Sequence, residues 1–253
     1  TVFRDWKKGG HGTTDVTKAI AESVNTFFYA IGGGYEGQAG LGISRIEKYI
    51  KLFEIGDKTG VDILGEVSGV VPGPEWKKKV FDGDAWRLGD TYNTSIGQYG
   101  FQTTPVQMLR AISAIANNGT LVTPHVVLEK KMESVAIPED FLLTDFELVR
   151  EGMRKVVTEG TGGVLNVSYV DIAAKTGSAQ TGAQNKFINS WVVGFFPYEN
   201  PKYAFVVLME KGPSEGERSA SFAARGFFDW MRDNTPEYFG EPVIPETPEL
   251  PID

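Results

Sequence analysis

The sequence predicts an α+β domain built on a mainly antiparallel sheet. Apolar residues first recur at helical spacing, up to about residue 157. The period then changes to three β-branched and aromatic runs separated by turn-forming segments, the pattern of an antiparallel meander. One more helical pattern follows the strands and can cover the sheet.

Residues 14–31 read as one amphipathic helix, with Val16, Ile20, Val24, Phe27 and Ile31 at spacings of three and four and Gly32-Gly33-Gly34 as the stop. Residues 42–54 read as a second, with Ile43, Ile46, Ile50 and Phe53 on one face and Gly56 beyond it. Residues 56–100 are rich in Gly, Pro and Asp and read as a long irregular excursion, a kind of stretch that is more often functional than decorative. A third helix starts at Thr104, which caps it, with Pro105 at the first helical position and Gln107 completing a capping box. Val106, Leu109, Ile112 and Ala116 form its buried stripe, and Gly119 ends it. A fourth runs from a Thr144 cap, with Glu147 three residues on, through Val149, Met153, Val156 and Val157 to Gly160.

The strands are expected at 170–177, 188–196 and 203–210, separated by Thr181-Gly182-Ala183-Gln184-Asn185 and Pro197-Tyr198-Glu199-Asn200-Pro201. A final helix over 217–233 would use Ala220, Ala223, Phe227 and Trp230 to cover the sheet. The tail after Asn234 carries Pro236, Pro242, Pro245, Pro248 and Pro251 and reads as extended. The expected division is a domain over 1–233 and a Pro-rich tail over 234–253.

Composition narrows the function. The 253 residues hold 25 Lys+Arg against 33 Asp+Glu, a net charge of −8. Lys77-Lys78-Lys79 is the longest basic stretch, so a nucleic-acid partner is disfavoured. There is no cysteine, which removes disulfides, zinc–thiolate sites, iron–sulfur clusters and thiol nucleophiles. Only His11 and His125 occur, too few for a multi-histidine metal site. No run of about 18 apolar residues exists to span a membrane. No metal, nucleotide or other cofactor is indicated. Gly32-Gly33-Gly34 lacks the strand–loop–helix setting of a phosphate loop.

Two short motifs can carry chemistry. Lys175-Thr176-Gly177-Ser178 ends the first meander strand, where an amine, two hydroxyls and a glycine form a polar ledge that a ligand can approach closely. By itself it is weak, since Lys-Thr-Gly also stands at 58–60 and a polar strand end entering a turn is the commoner meaning. Ser23-Val24-Asn25 is equally weak alone. It is either two exposed polar positions on the first helix or a site that requires that helix to break. Val24, Asn25 and Thr26 are poor helix formers in a row and permit a break.

The pair means more than either member. A serine–asparagine element on a helical part and a Lys-Thr-Gly strand are two walls of the site in penicillin-recognising serine acyl transferases. The chain resembles the transpeptidase domain of class B penicillin-binding proteins, of the penicillin-binding protein 2 type. The likeness rests on Lys18–Tyr29, Pro74-Glu75-Trp76-Lys77, Gly89-Asp90-Thr91, Ser95-Ile96-Gly97-Gln98, Thr104-Pro105-Val106-Gln107, Ala174–Gln180 and Ser190–Phe195, all in the family's order. Lys58-Thr59-Gly60 matches a different family segment, leading to Asp62, and is read as structural.

The resemblance implies the penicillin-binding and serine β-lactamase-like fold, an antiparallel sheet with covering helices, with part of the helical region missing. It implies peptidoglycan D,D-transpeptidation. A serine attacks the penultimate D-alanine carbonyl of a stem peptide, the terminal D-alanine leaves, and a neighbouring amine takes the acyl group; β-lactams acylate the same serine. By carry-over Ser23 relays protons, Asn25 holds the substrate amide and Lys175 supplies positive potential to the relay. Thr176 and Ser178 bind the terminal carboxylate beside Gly177, and the Ser178 N–H is one oxyanion donor. The residue 25 amide and the residue 175 amine are therefore expected to face each other across one groove.

The family's Ser-x-x-Lys nucleophile motif is absent: no serine or threonine here has lysine three residues later. The expectation is truncation, an inactive chain whose parent is a transpeptidase, and apolar surface left near Phe27–Ile31 that favours a dimer or pairing with the missing piece. Expected partners are stem peptides, β-lactams and cell-wall elongation or division proteins. The expected location of the parent is membrane-anchored and extracytoplasmic. A non-catalytic sensor or scaffold module of cell-wall assembly and a serine β-lactamase are the alternatives.

Overall fold

The computed structural model describes residues 3–137, 141–182, 186–213 and 219–240. Its centre is a three-stranded antiparallel sheet of β3 (Ala173–Thr181), β4 (Phe187–Phe196) and β5 (Tyr203–Pro213), in the order β3-β4-β5. The meander is as expected, except that β3 begins and ends a few residues later. Alternation assigns the two faces. Ala174, Val192 and Phe196 pack with α8 (Ala220–Asn234) through Ala220, Ala224, Phe228 and Met231. Ala173, Val193 and Phe195 pack with Ile20 of α1 (Val16–Ala21), Ile112 and Ala116 of α6 (Pro105–Ala116), and Met153 and Val156 of α7 (Leu143–Thr158).

The single helix expected over 14–31 is two. α1 stops at Ala21, and α2 (Asn25–Gly33) starts after a turn in which Ser23 is left-handed at φ 54°. α3 (Ile43–Leu52) lies where expected. The excursion is not irregular throughout: it holds α4 (Pro74–Val80) and α5 (Leu88–Thr94). Short helices of seven residues lack a long periodic stripe. What fixes these two is a buried cation: Lys77 Nζ of α4 donates to Asp90 of α5 at 2.6 Å and lies 3.2 Å from Asp84.

α6 follows its sequence signals, with Thr104 Oγ1 accepting from the Gln107 N–H and Gln107 Oε1 accepting from the Thr104 N–H. α7 begins earlier than Thr144 predicted, because Asp145 rather than Glu147 reaches back, accepting from the Leu142 N–H at 2.9 Å. A small hairpin of β1 (Thr120–Val122) and β2 (Ser134–Ala136) was not foreseen; three-residue strands carry too little alternation to read.

α8 covers the sheet with a neighbouring face. Phe227 and Trp230 are 57% and 53% exposed, while Phe228 is 1% exposed. The expected start at 217 lies outside the described residues. The tail does not run straight out from Asn234: a 3₁₀ turn, Pro236–Phe239, lays the Phe239 ring 5.2 Å from that of Tyr169. The remainder of the tail, and Ala183-Gln184-Asn185 of the first turn, lie outside the described residues.

Candidate active site

Lys175 sits on β3, the edge strand of the sheet, and shares a face with Ala173, so its side chain is directed into the helical layer that holds α1. There it meets the turn between α1 and α2. Lys175 Nζ donates to Ser23 Oγ at 2.9 Å and to the Thr176 carbonyl at 2.8 Å. Burial of the amine lowers its pKa from 10.5 to about 8.

The Ser23 turn is held from outside. Ser23 N–H donates to the Ile20 carbonyl and Val24 N–H to that of Ala19, which finishes α1 and reverses the chain. Val24, at the cap position of α2, has no side-chain oxygen to satisfy the first N–H groups. Asp5 supplies one in trans: its Oδ2 accepts from the Thr26 N–H at 3.0 Å and from the Thr26 hydroxyl at 3.1 Å. Trp6 Nε1 donates to the carbonyls of Glu22 and Ser23, both at 3.2 Å. His11, with its side chain 2% exposed, lies 2.6 Å from Glu22 Oε2 and 3.3 Å from Asp5 Oδ1. Residues 5–11 thus form a strap over the turn. Hydrogen bonds to His11 and Lys7 hold the Glu22 carboxyl down to about 2, and those from Thr26, Trp6 and His11 outweigh the opposing effect of burial on Asp5.

The predicted residues fall as follows. Ser23 and Lys175 are in contact. Asn25 is half-buried at the first position of α2, on the segment that Asp5 caps. Thr176 is half-buried, and Gly177 and Ser178 are exposed along β3. The second Lys-Thr-Gly is closed: Thr59 is buried, and Glu66 accepts from its N–H at 2.7 Å and its hydroxyl at 2.6 Å. Asp62 beyond it accepts from the N–H groups of Val126 and Val127, a structural use.

Two features were missed. The strap was invisible because Asp5, Trp6 and His11 follow no periodic pattern. The other is Thr161, whose Oγ1 lies 2.6 Å from Thr176 Oγ1 and whose N–H donates to the Ala21 carbonyl at 3.2 Å. Its only sequence signal is the run Gly160-Thr161-Gly162-Gly163, of which the sequence reading uses Gly160 alone, as the end of the fourth helix. A Cβ on Gly160 would stand 2.0 Å from the Ala21 oxygen, so glycine is what lets this loop reach α1.

The Lys175–Ser23 bond joins a helix break to an edge strand. The chain belongs to the penicillin binding protein transpeptidase domain family, whose profile matches residues 1–227. Among curated relatives it is 34% identical to the peptidoglycan D,D-transpeptidase MrdA of Salmonella typhimurium, covering 92% of this chain and 41% of the relative. It is 36% identical to the MrdA of Acinetobacter baumannii, covering 90% of this chain and 36% of the relative. Among solved structures it superposes on the penicillin-binding protein PBP2 of Helicobacter pylori, seen in complex with MreC, with a TM-score of 0.78 and 34% identity over 91% of this chain and 42% of that one. The chain therefore spans about two-fifths of the length of these relatives. Its fold is the penicillin-binding transpeptidase fold, as expected. No helix among the described residues is long and apolar enough to cross a membrane.

Proposed function

We propose that residues 1–233 supply the Ser-x-Asn and Lys-Thr-Gly walls of a peptidoglycan D,D-transpeptidase. The observation that carries this is the Lys175–Ser23 hydrogen bond at 2.9 Å, which joins the two motifs across 152 positions. The identity to MrdA proteins supports it.

The roles are those that the family resemblance implies. An attacking serine bonds to the penultimate D-alanine carbonyl carbon, its proton passes to the Ser23 hydroxyl network, and that network returns a proton to the departing D-alanine amine. An incoming amine then takes the acyl carbon and releases the serine. Lys175, lowered to about 8, can donate to Ser23 while charged and accept from it once neutral. The outer rim of β3 leaves strand hydrogen bonds for an extended stem peptide, and by the resemblance Asn25 holds the same peptide's amide. Thr176 and Ser178 bind the terminal carboxylate beside Gly177, and the Ser178 N–H is one of the oxyanion donors. Each such donor contributes about 2.7–4 kcal/mol to the transition state.

These 253 residues hold no Ser-x-x-Lys, so turnover needs a serine from outside them. An MreC-type elongation partner, an extracytoplasmic location in a membrane-anchored parent, and a dimer or pairing with the nucleophile-bearing segment belong to the same reading. The test has two arms. The chain binds a D-alanyl-D-alanine-terminated peptide and loses it on Lys175→Ala, and it gains no stable covalent label from a fluorescent penicillin. No peptide binding, or a stable adduct on this chain alone, overturns the reading.

A further inference from the structure

We infer that Thr161 is a positioning residue whose hydroxyl sets the direction in which Thr176 presents its own proton to a ligand carboxylate. The inference rests on the carboxylate role proposed for Thr176 and adds a residue from a different element.

The two hydroxyl oxygens are 2.6 Å apart, and each hydroxyl has one proton to give. Two arrangements are open. If Thr176 donates to Thr161, Thr176 meets an anion with lone pairs only, which repels it. If Thr161 donates to Thr176, the Thr176 proton is free to be given to another acceptor. A carboxylate at β3 selects the second arrangement, and Thr161 is the donor that completes it. Among the described residues, the other bonds of Thr176 run through its backbone, its carbonyl accepting from Lys175.

Thr161 is also fixed to the opposite wall. Its N–H donates to the Ala21 carbonyl, two residues before Ser23. Gly160 lies directly against that carbonyl, and the Gly162 N–H donates to the Val156 carbonyl at 2.8 Å, anchoring the loop to the end of α7. The hydroxyl is therefore presented from a fixed backbone rather than from a free loop. One residue thus bonds to both the serine wall and the strand wall.

The test uses the chain and two peptides that differ only at the end, one a D-alanyl-D-alanine carboxylate and the other its terminal amide. Affinities are measured calorimetrically for wild type, Thr161→Val, Thr161→Ser and Thr176→Val. Thr161→Val keeps the shape and removes the donor, and it is expected to weaken the carboxylate peptide by about five- to tenfold, the value of one hydrogen bond near a charge. The amide peptide is expected to bind as before, and Thr161→Ser is expected to restore the carboxylate preference. An equal loss for both peptides means a structural role and overturns the inference. Wild-type affinity in Thr161→Val with loss in Thr176→Val overturns it too, while leaving the carboxylate role standing. If wild type makes no distinction between the peptides, or Thr176→Val loses nothing, the carboxylate role itself fails and the inference with it.

Discussion

Lys175 and Ser23 are 152 positions apart, and their side chains meet at 2.9 Å. The amine is brought there by strand alternation and the hydroxyl by a left-handed break between two helices. Burial takes the amine from 10.5 to about 8. The buried charge opposes folding fully below about pH 8. That cost is relieved as pH rises from about 8 to 10.5, because the folded state then holds fewer protons than the unfolded one. In a carbon-detected titration of the lysine side chains, Lys175 is expected to titrate near 8, apart from the exposed lysines. A midpoint among the others would show an amine in contact with water and a different site geometry.

The strap should control the serine turn. Asp5→Ala removes the trans cap of α2, and loss of a cap costs about 0.5–2 kcal/mol. The pH dependence has a definite sign. Asp5 and Glu22 are held below their ordinary values, so their contribution is complete above about pH 4.5 and is lost as pH falls, for Glu22 through about 2. Thermal melts from pH 6 down to 2 should show wild type losing stability and Asp5→Ala starting lower with a shallower fall. Parallel curves would mean that Asp5 does not act through its charge.

The face of α8 is testable by two adjacent residues. Phe228 is 1% exposed, and Phe228→Ala is expected to cost about 3–5 kcal/mol. Phe227 is 57% exposed, and Phe227→Ala is expected to change stability by no more than about 0.5 kcal/mol. Denaturant unfolding decides between them. Reversed effects would restore the face read from Ala223, Phe227 and Trp230.

Two glycines three apart should behave differently. A Cβ at Gly160 meets the Ala21 oxygen at 2.0 Å, whereas one at Gly163 meets nothing within 4 Å. Gly160→Ala is expected to cost about 1–3 kcal/mol as an overpacked contact and to displace the Ser23 turn. Gly163→Ala should be near neutral. Melting temperatures, with the Lys175 titration as a probe of the turn, report both; equal effects would mean that the loop does not bear on α1.

Much of the fold was legible because local signals agreed with the tertiary outcome. Thr104-Pro105 and Gln107 start α6 by bonds within one turn. The meander was readable because β4 and β5 pack against apolar clusters on both faces, which forces runs of apolar residues. The start of α7 was misplaced for a local reason, the Asp145–Leu142 bond, and the hairpin strands are too short to read; two other failures come from contacts distant in sequence. α4 and α5 depend on Lys77 reaching Asp90, not on periodicity. The 14–31 pattern continues through Ser23, yet the chain breaks there because Asp5, Trp6 and Lys175 bind the broken form.

What the sequence by itself determined is the family and the three-strand meander, with helices before it and one after it; it also singled out Ser23, Asn25 and Lys175-Thr176-Gly177-Ser178 as candidates. These are local patterns that any chain carrying them displays. What only the tertiary structure decided is which face of α8 is buried, and that Thr161, Asp5 and His11 lie around the Ser23 turn and Thr176. Those depend on side chains that acquire partners only when distant segments pack, and a lone threonine between glycines has no pattern until Thr176 stands 2.6 Å away.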